Sequence, residues 1–161
     1  MTIGAFTLAG VVVLASACTT DESGIDDTGR NDDGAIEESG DLGVFEIQAG
    51  DCFTSSGDPD VITVTGLACD EPHEAQAYAV FELTGDDYPG DDDVSAQATE
   101  GCEGDLRDGF VGDPTAQPVA LLFDAIRPTE ESWNDFDDRE VICVTLAADG
   151  SELTATVEVG A

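Results

Sequence analysis

Five cysteines and a single histidine are the residues of this chain best equipped for chemistry. The cysteines are Cys18, Cys52, Cys69, Cys102 and Cys143. None stands in a CxxC pair and His73 is the sole imidazole, so the ligand set of a zinc site is missing. A Ser-His-Asp triad would have to join His73 to Ser55, Ser56, Ser95 or Ser132. None of these serines lies in a Gly-x-Ser-x-Gly elbow. Lysine is absent, which removes Schiff-base and lysine-base mechanisms. Acids are so abundant that no carboxylate pair stands out for glycoside chemistry. The expectation is no catalytic residue, no metal and no cofactor.

Two other residue types could serve recognition. His73 follows Cys69-Asp70-Glu71-Pro72, where its ring could tie the loop to backbone, act as a pH-sensitive contact, or share a metal with Glu71 or Glu74. Trp133 is the sole tryptophan. It is either a core anchor or a surface aromatic of the kind enriched at binding hot spots. His73, Tyr88 and Trp133 together make a candidate recognition face.

Five cysteines leave one unpaired in an exported protein, unless one has another chemistry. Cys18 closes the run Ala15-Ser16-Ala17-Cys18 behind an apolar stretch from Ile3 to Ala17. That stretch is short of the ~20 residues of a membrane-spanning helix and fits a signal-peptide core. The junction resembles a bacterial lipobox, with Leu14 one place further from the cysteine than is usual and no Lys or Arg ahead of the apolar run. Residues 1–17 are therefore expected to be a lipoprotein signal peptide. Cys18 would be the lipidated first residue of the mature chain, held firmly by two acyl chains. Four cysteines remain, and four allow three pairings. The natural one is Cys52 with Cys69 and Cys102 with Cys143, which the sequence permits without excluding the others.

The charge is extreme: 37 acids against four basic residues, a formal net charge of −33. A field of that sign repels nucleic acid, whose binding needs a basic patch. The segment 18–43 is rich in Asp, Glu, Gly, Ser and Thr, with Ile25, Ile36 and Leu42 as its few apolar residues. Such a composition predicts an acidic disordered tether. It fails the test for a calcium loop. With Gly34 at the sixth position, Gly29 and Gly40 fall where the acidic ligands are needed.

From Val44 to the end, at 161, the pattern is that of a folded α+β domain. Strands are expected at Val44–Ile47, Val61–Thr65, Gln76–Leu83, Val119–Ile126, Arg139–Ala147 and Leu153–Val159. Period-two alternation places Ala77, Ala79, Phe81 and Leu83 on one face, and Ile142, Val144 and Leu146 opposite Val141, Cys143 and Thr145. Asp91 to Asp93 open a helix whose apolar stripe runs Val94, Ala98, Cys102, Leu106, Phe110. Thr129 is expected to cap a short helical turn. The sum is a small, mostly antiparallel sheet with one main helix and two disulfides.

Five stretches in this order carry a family resemblance. They are Ala49-Gly50-Asp51-Cys52-Phe53, Gly66-Leu67-Ala68-Cys69-Asp70-Glu71-Pro72-His73-Glu74-Ala75, Tyr88-Pro89-Gly90, Arg127-Pro128-Thr129-Glu130-Glu131-Ser132-Trp133 and Asp138-Arg139-Glu140-Val141-Ile142-Cys143. The chain over about 44–157 resembles the septum-formation domain of actinobacterial membrane proteins and lipoproteins. The resemblance implies four cysteines in two disulfides and a role in cell division and envelope growth, and brings no catalytic residues. The expected function is a non-enzymatic, lipid-anchored interaction domain on the outer face of the cytoplasmic membrane, meeting an envelope protein or glycan. The alternatives are a passive acidic lipoprotein that buffers cations or shields the surface, and a hydrolase.

Overall fold

The computed structural model describes residues 24–55, 63–111 and 119–157. Residues 1–17 and Cys18 lie outside them, as do Ser56, Val61 and Ile62. Eight strands and three helices are described: β1 (Gly29–Arg30), β2 (Ile36–Glu38), β3 (Gly40–Gly43), β4 (Cys52–Thr54), β5 (Thr63–Leu67), β6 (Ala75–Glu82), α1 (Asp91–Cys102), α2 (Asp105–Val111), β7 (Leu121–Ile126), α3 (Glu130–Asp135) and β8 (Glu140–Ala147). Strands β1 and β2 form a small ribbon. The other six make one sheet in the order β3-β5-β4-β6-β8-β7, antiparallel at every pairing. The α+β class with two disulfides is as expected.

The sheet separates two apolar layers. On one face Val94, Ala98 and Cys102 of α1, with Phe110 and Val111 of α2 and Trp133 of α3, pack on Tyr78, Val141 and Cys143. On the other, Ile36, Leu42, Ile47 and Phe53 pack on Ala77, Ile142 and Val144. The alternation of β8 is as expected. That of β6 is not, because the register slips between Ala77 and Ala79. A bulge puts two residues opposite one and reverses the phase beyond it. Ala77 accordingly joins one layer, while Tyr78 and Ala79 join the other. Tyr78 then donates its hydroxyl to the Cys102 carbonyl at 2.9 Å.

The single expected helix is two. The stripe of Val94, Ala98 and Cys102 is buried, but Gly104 adopts φ +70° and breaks the axis, so Leu106 turns out to solvent while Phe110 stays inside. Gly101 has a packing reason, since a Cβ there would lie 2.3 Å from the Phe81 ring. Gly90, at φ 102°, takes the cap position, and the three aspartates fill the first turn. Thr129 caps α3 as expected. Its side chain accepts from the Ser132 amide while the Ser132 hydroxyl accepts from the Thr129 amide, a reciprocal capping box.

Both disulfides adopt the natural pairing. Cys52 binds Cys69, joining β4 to the loop after β5, and Cys102 binds Cys143, fixing α1 to β8. Val44–Glu46, expected as a strand, is a 3-10 turn. The expected last strand gives one isolated bridge, His73 to Leu153, and its end lies outside the described residues.

The expected disordered tether is instead folded over residues 24–43. Residues 24–43 carry β1, β2 and β3, with Leu42 and Ile36 buried in the core. Composition underestimated this segment because two apolar side chains, placed in register, suffice when a prebuilt sheet supplies the rest of the surface. An ion pair completes the attachment. Arg30 makes a bidentate contact with Asp51, Nη1 to Oδ1 at 2.7 Å and Nη2 to Oδ2 at 2.9 Å, and Asp51 also accepts from the Gln48 amide. Asp51 is buried, so removing its partner strands a charge. Arg30→Ala should cost about 3 kcal/mol in urea unfolding. Arg30→Met with Asp51→Asn should recover a large part of that loss.

Candidate functional site

The expected recognition face is not assembled. His73 is 0 % exposed two residues before β6, its Nδ1 2.8 Å from the Glu71 carbonyl and its backbone paired in both directions with Leu153. Tyr88 and Trp133 lie past the opposite end of the same strand, which at eight residues spans roughly 25 Å. Trp133 is 2 % exposed and serves as a core anchor. Its Nε1 donates to the Asp86 carbonyl at 3.2 Å, and the Tyr88 ring meets it edge-on at 5.7 Å. The Arg139 guanidinium lies 3.8 Å from the indole centroid and donates to the carbonyls of Gly85, Trp133 and Asp138. The Tyr88 hydroxyl donates to Asp91, which pushes its pKa up to about 12. His73 and Trp133 are thus buried anchors, with His73 Nε2 shielded and without a hydrogen-bond partner, while Tyr88 is half-buried at the surface.

A cleft of about 940 Å³ opens elsewhere, between the 3-10 turn, the end of β7, α3 and the start of β8. Its apolar lining includes Val44, Ile126 and Ile142. Phe45 and Phe136 also line it, and they are 48 % and 71 % exposed. The loop that presents Phe136 is held firmly. The Phe136 amide donates to the Ser132 carbonyl, and Asp137 turns the chain at φ 56°, a left-handed conformation that Asp tolerates. Asp138 then accepts from the Ser132 hydroxyl at 2.7 Å and from the Glu140 amide at 2.9 Å.

Glu140 lines this cleft at the first position of β8, in phase with Ile142 and Val144. Its Oε1 is shielded from solvent and has no hydrogen-bond partner. Burial, then the charges of Asp138, Glu82 and Glu46, push its pKa up to about 7. A carboxyl so placed in a cleft is a candidate functional group. It can exchange a proton near neutrality, or receive a cation that stabilises its ionised form. Among the described residues no group of three or more His, Cys, Asp or Glu is placed to hold a metal ion.

The family model described as "Septum formation" matches residues 16–143. The chain belongs to the septum-formation family. No curated protein and no solved structure matches it. The septum-formation match fits a role related to septum formation. The match begins well before Val44 and so takes in the N-terminal strands that composition had assigned to a tether. It also spans every lining residue of the cleft from Val44 to Ile142.

The cleft of this septum-formation domain is not legible in the sequence, because its walls come from two stretches far apart in the chain, 44–45 and 126–142. One signal did exist. The alternation that puts Ile142, Val144 and Leu146 on one face extends back to Glu140, an acid in an inward phase.

Glu140 has a definite effect on stability. Its folded pKa is raised above the ordinary 4.5, so the folded state holds the proton more tightly than the unfolded state. That stability is present below about pH 4.5 and is lost as pH rises through about 7. Glu140→Gln should therefore be more stable than the parent at pH 8, by on the order of 1–2 kcal/mol once solvent screening is allowed for, with the gap closing below pH 4.5. Thermal unfolding across pH checks this. Equal pH profiles for the two proteins would count against the assignment.

Proposed function

We propose that this septum-formation domain is a non-enzymatic interaction module, carried on the outer face of the cytoplasmic membrane by lipid on Cys18. The observation that carries the reading is the family match joined to a partly apolar, rigidly framed cleft with two exposed phenylalanines. Exposed aromatics lining a cleft are enriched at protein contacts. Two disulfides are at home in an oxidising, extracytoplasmic compartment. The sequence Ala15-Ser16-Ala17-Cys18 supplies the lipid attachment. Partners are the membrane, through the lipid, and an envelope component, with nucleic acid disfavoured by the net charge of −33. The passive-buffer alternative loses support, because residues 24–43 are folded into the domain instead of serving as a free polyacid.

Intact mass of the membrane-extracted chain should show a diacylglyceryl or triacyl addition on Cys18, with four thiols reacting only after reduction. A fluorescent fusion in the native cell should concentrate at division septa. A protein without lipid, or spread evenly along the envelope, would sink the corresponding part of the reading.

A further inference from the structure

We propose that the cleft between Phe45 and Phe136 docks a basic, apolar peptide segment of a partner protein, with a Lys or Arg side chain reaching Glu140. The proposal rests on the interaction-module reading and specifies its site and the chemistry of its partner.

Three observations lead there. The first is shape and surface: a cavity of about 940 Å³ with Val44, Ile126 and Ile142 in its lining and two phenylalanines at its rim accommodates several side chains. Apolar residues on either side of a cation would fill it. The second is charge. Glu130, Glu131, Asp135, Asp138 and Glu140 line the cleft against a single base, Arg127. An anionic glycan or peptide would be repelled, whereas a cationic segment finds a complementary field.

The third observation is the unmet bond at Glu140. Oε1 is shielded and unpartnered, and the charged groups acting on this carboxyl are all acids. They are Asp138 from the preceding loop, Glu82 from β6 and Glu46 from the 3-10 turn. None of them can donate a proton when ionised. Rotation of the Glu140 side chain toward the cleft would present the carboxylate to an ammonium or guanidinium group, which supplies the donor and the opposite charge together. Docking would then ionise Glu140, and the carboxyl proton would leave to solvent as the cation arrives. The peptide cation takes no part in any covalent step.

The test is isothermal titration calorimetry of the purified, disulfide-intact chain at physiological salt. The probes are the acetylated, amidated peptide Leu-Lys-Phe-Lys-Leu, its glutamate counterpart, and chitotetraose as a neutral glycan. Saturable binding of the lysine peptide alone is expected. Near pH 7 its heat should change between buffers of different ionisation enthalpy, which reports the released proton. Phe136→Ser alters an exposed side chain and should weaken binding about tenfold. Glu140→Gln should weaken it to a similar extent and abolish the buffer dependence. Glu100→Gln removes a charge from the exposed face of α1 and should change nothing. Equal effects of Glu100→Gln and Glu140→Gln would reduce the binding to the general field and overturn the proposal. So would binding of chitotetraose in place of the peptide, or full affinity in Phe136→Ser. These outcomes leave the septal localisation of the lipidated chain standing. A chain that binds the peptide but never reaches the septum fails the wider reading instead.

Discussion

Strand β8 is the wall that both apolar layers share. Val141 and Cys143 face the helices, and Ile142 and Val144 face the N-terminal strands. All four are buried, and β8 is paired along its length with β6 on one side and β7 on the other. A strand buried on both faces is unusual in an antiparallel sheet, where one face commonly meets water. Using the two sides of one strand lets a modest set of side chains stabilise two layers. The Cys102–Cys143 bond then fixes the helical layer to that wall.

Local chemistry was legible wherever a residue acts on its near neighbours. Thr129 caps α3, the stripe through Val94, Ala98 and Cys102 faces inward, and the alternation of β8 is real. The readings that failed depend on partners far away in sequence. Ile36 and Leu42 look isolated in an acidic segment until Val64 and Phe53 are brought beside them. The bulge near Tyr78 has no local signature, because the register of β6 is set by its pairing with β8. His73 and Trp133 drew attention as rare residues. Rarity proved a guide to buried anchors, with His73 Nδ1 and Trp133 Nε1 each on a backbone carbonyl.

The few cations are used with similar economy. Arg30 rivets the N-terminal strands to Asp51, and Arg139 gathers carbonyls from three stretches under the indole of Trp133. Arg107 lies 5.6 Å from the centroid of the Phe123 ring. Positive charge spent on internal contacts leaves the acidic exterior largely uncompensated. The resulting field extends about a Debye length into solution and draws in cationic species before any contact is made.

The folding of residues 24–43 onto the sheet has a geometric consequence. A free chain of 26 residues from Cys18 to Gly43 could stretch to roughly 90 Å, at up to ~3.6 Å per residue. With those strands docked, only the covalent span from Cys18 to Gly24 separates a lipid on the cysteine from the domain, and that span cannot exceed about 20 Å. Under the proposed lipid attachment at Cys18, the module would therefore ride close against the bilayer instead of standing off from it. Its search for partners would be confined to a thin layer just above the headgroups, closer to a two-dimensional surface than to a volume.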